Sequence, residues 1–548
     1  MKRTLRAGAV AASVLLMQFI AAPSFAVAQS EAAFGNTTGI RRVLLISIDG
    51  MHALDFANCA KGVSSINGGT PYCPNLAELS GNGVNYVAAS TTMPSDSFPG
   101  SGALATGGSA RTTGMFYDVN YDRALSPPAK TTPYGIVGGA DLCPSVIGTQ
   151  IGFDEEIDVD YTRLDGGGGI NPDYLPRDPN HGCQPVYPHN YIRVNTIFEV
   201  VRNSGGYTAW SDKHPAYDFY NGPSGRGVND LYSPEINSTV IPLPNVAGCE
   251  TIPDSGADLS AWTSSFANIR CYDSIKVNAL LNEMNGKTHD GSSSAPVPNV
   301  FGMNFQAVSV GQKLVEKGVA GGYLDSIGTP SANLLQEIQF VDGSIGKLVN
   351  QLKQNGLYES TLIVITAKHG QSPIDPKKVL RIPADDQSLQ SPASLLGSIV
   401  AQSSEDDVSL IWLTDQSQTA NAVATLEDNQ ALIGSGEIFS GPSLALLFND
   451  PAVDPRTPDI IVQSNVGVIY TGGKKKIAEH GGFSHDDLNV MLLVSNARFS
   501  PATITIPVQT AQVAPTILQA LGINPVKLQA VRQEKTQMLP GVSFTAPF

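Results

Sequence analysis

Cysteine, tryptophan and charge are all scarce in this chain. Its 548 residues hold six cysteines and three tryptophans, and Asp, Glu, Lys and Arg together make up only 15%. No two cysteines stand as C-x-x-C, which removes a dithiol redox motif and a thiolate zinc site. Basic blocks with interleaved aromatics are missing, and 34 basic residues face 49 acidic ones, a formal net charge of −15. A surface of that sign repels phosphate backbones, so no nucleic acid polymer is an expected partner. After Ala28 no run is long and apolar enough to cross a bilayer, so no integral membrane association is expected.

What is present begins with an address. Lys2, Arg3 and Arg6 precede an apolar stretch over 7–22 and then the A-x-A spacing of Ala26-Val27-Ala28. That order is a bacterial-type secretory signal peptide over 1–28, which predicts a periplasmic or secreted protein. Losing its three basic residues takes the net charge from −15 to −18. In an exported chain the cysteines are expected as disulfides. They fall in sequence-near pairs, Cys59 with Cys73, Cys143 with Cys183 and Cys249 with Cys271. With 42% apolar residues the chain can bury a large core. We expect one α/β domain over 38–548, a wound, mostly parallel sheet flanked by helices.

Periodicity places the elements. RVLLISI (42–48) suits a strand buried on both faces and ends at Asp49-Gly50. A second unit starts near Tyr86 and runs through Ser97-Phe98-Pro99 into a small-residue helix near 101–106. From Ser331 to Gln354 the apolar residues Leu334, Ile338, Val341, Ile345, Leu348 and Leu352 form one helical stripe, stopped by Gly356. A strand at 361–366 follows, then a strand at 489–495 and a helix at 510–521, the alternation of a wound α/β sheet. Loop-rich, disulfide-stapled insertions are expected at about 118–190 and 215–300, and a partly regular one at 375–470.

Ligands of an open α/β sheet sit beyond the carboxyl ends of its strands. Asp49, the Ser97 segment and His369 all stand at such ends, with Asp325 and His480 in further polar stretches. The stretches VLLISIDGM (43–51), PSDSFPGSGALATG (94–107), TGMFYDVNYD (113–122), YLDSIGTPS (323–331), ITAKHG (365–370) and EHGGFS (479–484) carry a resemblance. Together and in this order they resemble the type I phosphodiesterase/nucleotide pyrophosphatase family of the alkaline phosphatase superfamily.

The resemblance implies two divalent metals, usually zinc, that clamp a phosphoryl group while a hydroxyl attacks phosphorus. Ser97 falls on the nucleophile position, where the family usually has Thr. One metal would be held by Asp325, position 329 and His480. The other would be held by Asp49, Ser97, position 368 and His369. Here the chain departs. Thr329 replaces a metal-binding His, Lys368 replaces an Asp, and Asp118 replaces an Asn that binds phosphoryl oxygens. Three readings follow. Lys368 takes over part of a metal's electrostatic work, contacting the phosphoryl oxygens or pairing with Asp49 or Asp118, leaving one ion. Alternatively His485, Asp486, Asp487 or Asp118 completes the metal sites, or the site binds without turnover. Zinc suits the histidines, while manganese or calcium suits an oxygen-rich remainder.

TAWSDKHPAYD (208–218) reads as a strand-to-loop turn, with His214 a candidate for the roof of the site. His52 is expected beside the site and not as a ligand. The resemblance thus implies an exported, metal-dependent phosphoric ester hydrolase acting on a small-molecule phosphate ester through a phospho-serine. A phosphomonoesterase, a sulfatase or phosphonate hydrolase, and a non-catalytic binder are the rivals. The sulfatase is the weakest of these, because Ser97-Phe98-Pro99-Gly100-Ser101 lacks the arginine of that motif.

Overall fold

The computed structural model describes residues 38–238, 262–384 and 388–544. Its first strand, β1 (Arg42–Ile48), sends Val43 and Leu45 into one core and Leu44, Ile46 and Ile48 into another. Side chains alternate faces with period two, so a continuous apolar run is what a strand covered on both sides requires. Strand β2 is Gly83–Tyr86, β3 Ala209–Ser211, β4 Asp230–Tyr232, β5 Val300–Phe305 and β6 Thr361–Thr366. Four further strands, β7 (Val400–Glu405), β8 (Val408–Leu413), β9 (Ser435–Ser440) and β10 (Ile460–Ser464), make a separate sheet. The chain then returns through β11 (Leu492–Ser495) and β12 (Ala502–Ile504).

The main sheet has the order β12-β2-β11-β6-β1-β5-β3-β4. β11 runs antiparallel to its neighbours β6 and β2, and every other neighbouring pair is parallel. The carboxyl ends of β6, β1, β5 and β3 therefore lie side by side, which decides where a site can form.

Helices cover both faces. α1 is Ala53–Lys61, α2 Ser97–Thr106, α3 Phe266–Met284, α4 Ala307–Lys313, α5 Ala332–Gln354 and α6 Val513–Ala520. α2 and α6 join the core of Val43 and Leu45, while α3, α4 and α5 join the other. α5 forms where expected: Ser331 Oγ accepts from Leu334 N at 3.2 Å, and the six-residue stripe is buried. Each such leucine or isoleucine is worth about 1.5–3 kcal/mol over leaving it exposed. Truncating Ile345 to Ala would cost about 2–5 kcal/mol.

Some elements differ from expectation. The strand read at 489–495 begins only at Leu492, because the backbone N–H groups before it are used elsewhere: Asn489 N donates to His485 O at 2.9 Å, Val490 N to Ala89 O at 3.1 Å and Met491 N to Met51 O at 2.9 Å. The helix read at 510–521 starts as a 3₁₀ turn, Thr510–Gln512, before α6. Segment 215–300 supplies β4 to the sheet and α3 to its face. α3 lacks a polar face because Asn268, Asp273, Lys276 and Glu283 are buried with its apolar residues, so no stripe marks it in the sequence. Residues 375–470 hold the second sheet: Val408, Leu410 and Trp412 of β8 pack on Phe116 and Tyr117, and Ile411 and Leu413 pack the other side.

Cys59–Cys73 and Cys143–Cys183 are joined as expected. The third pair involves Cys249, and the signal peptide spans 1–28; both lie outside the described residues. Among the described residues no helix is long and apolar enough to cross a membrane.

Candidate active site

Four strand ends and one helix start build the site. Asp49 follows β1 and is buried. Its Oδ2 accepts from Asn304 Nδ2 at 3.0 Å and Gln306 Nε2 at 2.7 Å, both supplied by the end of β5. Oδ1 has no hydrogen-bond partner. Burial alone would raise the carboxyl, but Lys368, His369 and Lys213 outweigh it and hold Asp49 well below the usual range.

Ser97 opens α2. Asp96 caps that helix, its side chain accepting from Phe98 N at 3.0 Å. Burial, and next the Asp118 carboxylate, push Asp96 well above the usual range. The Ser97 hydroxyl is buried at a helix N-terminus, where backbone N–H groups favour negative charge. Lys213 Nζ, just past β3, donates to Ser97 Oγ at 3.1 Å. Burial works against the Lys213 charge, but Asp49, Asp118, Asp96 and Asp212 prevail and raise it. Ser95, the neighbouring hydroxyl, is committed elsewhere: its Oγ donates to Asp487 O at 2.6 Å.

Lys368 and His369 extend β6. Lys368 Nζ donates to Asp212 Oδ1 at 2.8 Å and lies 4.2 Å from the Tyr217 ring centroid. Both charged groups are enclosed, and burial lowers the lysine against the pull of Asp212 and Asp49. α2 lies so close that a β carbon on Gly100 would come within 2.1 Å of Lys368 O. His369 Nδ1 donates to Gly370 O at 2.7 Å, which turns Nε2 towards Asp49 Oδ2, 3.6 Å away. Its ring centroid is 4.1 Å from that of His480. His480 Nδ1 is 3.7 Å from Asp96 Oδ2 and has no hydrogen-bond partner. Burial, then His369, Lys313, Lys213 and Lys476, hold His480 well below its usual value, so it is neutral near pH 7.

The structure thus gathers Asp49, Ser97, Lys368, His369 and His480. Asp118 borders them: its Oδ1 accepts from its neighbour Val119 N at 2.8 Å, and its charge acts on Asp96, Lys213 and Lys476. Asp325 is not brought in. Its Oδ1 accepts from Ile327 N at 3.1 Å and Thr329 N at 3.0 Å, contacts inside its own turn. His214 Nδ1 faces Glu235 Oε2 at 2.8 Å. His52 binds Asp55, Tyr323 and Gln371 in a buried network. His485 and Asp486 line a separate cavity of about 470 Å³ with His52.

The chain matches the model of the type I phosphodiesterase/nucleotide pyrophosphatase family. The match covers residues 43–134 and 321–485. Among solved structures, murine ectonucleotide pyrophosphatase/phosphodiesterase 5 is 13% identical, with a TM-score of 0.53 over 88% of this chain and 96% of that one. Its inactive threonine-to-alanine variant in complex with AMP matches at 12% identity and 0.53. The human protein matches at 13% and 0.50, covering 88% and 95%. At these identities the likeness shows a shared fold. No curated protein sequence matches the chain.

The type I phosphodiesterase family is in general divalent-metal dependent, but the donors here do not fit its pair of ions. Position 368 offers an ammonium, Thr329 and Asp325 are tied to each other, and a second ammonium, Lys213, holds the Ser97 hydroxyl. Of Asp49, an expected ligand, Oδ2 is taken by two amides and only Oδ1 is left without a partner. Among the described residues no three or more His, Cys, Asp or Glu side chains are grouped to hold a metal ion. Lys213, Lys313 and Lys476 are the residues that sequence reasoning missed. A signal existed for Lys213, since Ser211-Asp212-Lys213 ends a strand as Ala367-Lys368-His369 does.

Proposed function

We propose that the protein is an exported hydrolase of phosphodiester or pyrophosphate bonds in small-molecule esters, with Ser97 as nucleophile. The observation that carries this reading is the 3.1 Å contact between Lys213 Nζ and Ser97 Oγ at the first residue of a buried helix. An ammonium there stabilises the serine as an alkoxide, as oriented donors do for a developing oxyanion. The Ser97 Oγ–P bond forms as the bond from phosphorus to the leaving oxygen breaks. The electron pair stays on the departing oxygen, which ends with the serine's proton. Water then attacks the serine ester, the Oγ–P bond breaks, and Ser97 regains a proton. The zinc, manganese or calcium that the resemblance implies finds no fitting donor set, so no step is routed through it. A nucleotide ester is the first substrate to try, given the AMP complex of the murine relative. Export rests on the signal-peptide pattern and the two disulfides.

The test compares bis(p-nitrophenyl) phosphate, p-nitrophenyl phosphate and p-nitrophenyl sulfate. The diester should turn over fastest, and Ser97→Ala should lower that rate by at least about a thousandfold. Mass spectrometry of quenched turnover should find a phosphoryl ester on Ser97. A fully active Ser97→Ala variant would refute the assignment.

A further inference from the structure

Four lysines gather where the family places its metal pair. Lys213 donates to Ser97 Oγ and Lys368 is clamped by Asp212 between Asp49 and the Tyr217 ring. Lys476 Nζ donates to Glu479 Oε1 at 2.6 Å, next to His480. Burial and then Lys476 push Lys313, the last residue of α4, down to about 8, still an ammonium near neutral pH; Glu479, Lys213 and Asp406 also act on it, and it acts in turn on His480. Asp49 Oδ1 is unpartnered, but other oxygen atoms that metals would need are spent on protein donors. Asp49 Oδ2 serves two amides and Asp325 Oδ1 two backbone N–H groups.

We propose that these four ammonium groups replace the metal pair, so that the site binds and hydrolyses phosphate esters without a divalent ion. This rests on the hydrolase reading above. Four ammonium groups bring the same formal +4 as two divalent cations, to an altered set of carboxylates in which Asp325 is tied to its own turn and Asp118 and Asp212 stand beside the lysines. Lysine is a compact, strongly hydrated point charge with three donors, suited to phosphate oxygens where bidentate geometry is not required. Lys213 stands on the nucleophile, as one metal would. Lys313 and Lys476 act electrostatically on His480, the remaining histidine of the other metal position. Two of the four, Lys213 and Lys313, come from the stretch between the segments that match the family model. Lys368 stands in place of the ligand whose loss would empty the first position.

The decisive experiment uses the full chain, dialysed against EDTA and 1,10-phenanthroline, with bis(p-nitrophenyl) phosphate as substrate. The chelated protein should keep its rate within about twofold, while Lys213→Met should lose on the order of a hundredfold, the usual effect of removing one oriented donor. Lys368→Met strands a buried Asp212, so the paired Lys368→Met/Asp212→Asn variant tests that lysine without an unpaired charge. Loss of activity on chelation with recovery on adding zinc overturns the proposal and leaves the hydrolase reading intact. No turnover in any state refutes the hydrolase reading, and calorimetry of inorganic phosphate then decides the site. Binding to the chelated protein that Lys213→Met abolishes supports the ammonium site, and binding only with added zinc overturns it.

Discussion

Gly100→Ala isolates how closely α2 must approach the end of β6. A β carbon at Gly100 would sit 2.1 Å from Lys368 O, 2.8 Å from its carbonyl carbon and 3.0 Å from its Cα. All three are backbone atoms, so no side chain can swing away. Restoring ordinary contact moves the helix start by about 1 Å, an overpacking that costs typically 1–3 kcal/mol. The same change gains about 0.5–1 kcal/mol by removing glycine from a helix. Overpacking wins, and net destabilisation of about 1 kcal/mol is expected. Activity should suffer more, because Ser97 lies three residues away on the displaced turn, and a misplacement of about 1 Å costs roughly a hundredfold. Gly343→Ala in α5 is the control, since its β carbon would meet nothing within 4 Å. That variant should be stabilised and fully active. Both are read by kcat/KM on bis(p-nitrophenyl) phosphate and by thermal unfolding. If Gly100→Ala matches Gly343→Ala on both measures, the helix does not press on Lys368 and the site geometry is wrong.

Three further outcomes are expected. Ser95→Ala should keep most activity and lose about 1 kcal/mol of stability, the usual worth of its hydrogen bond to Asp487 O; Ser95→Ala as inactive as Ser97→Ala would shift the nucleophile's register. Asp454, held by two 2.6 Å contacts from Arg193, sits at about 2 although burial opposes it. Its contribution of about 2 kcal/mol is complete above the usual carboxylate pKa and vanishes as pH falls from about 4 to about 2, so the deficit of Asp454→Asn should close over that window. A deficit that stays constant with pH counts against the ion pair. Glu283 is buried with both oxygens unpartnered, and burial, then Asp230, push it well above its usual value. A raised carboxyl makes stability decline as pH rises above the usual pKa, so Glu283→Gln should gain on wild type from about pH 4.5 upward. Equal pH slopes for the two proteins would refute the buried acid.

How much was legible depends on what each residue had to satisfy. β1, β6 and α5 answer to burial alone, and burial writes itself as a continuous apolar run or as period 3.6 in the sequence. Their strand ends then carry Asp49 and His369 to the site, and the helix read near 101–106 starts earlier, at Ser97 itself. α3 was missed because buried polar residues such as Asp273 and Lys276 hide its periodicity. Asp325 was misleading in another way, since a carboxylate that caps its own turn has the same letters as one that reaches a ligand.

The chain by itself determined which strands would be sealed on both faces, and with them the edge where Asp49, His369 and the Ser97 helix meet. Only tertiary packing decided the charge of that edge. A lysine's ammonium rides on a long flexible stem, so no spacing in sequence foretells where it will come to rest. Lys213 reaches Ser97 because β3 pairs with β5, and Lys313 and Lys476 act on His480 from elements that share no periodic pattern with it.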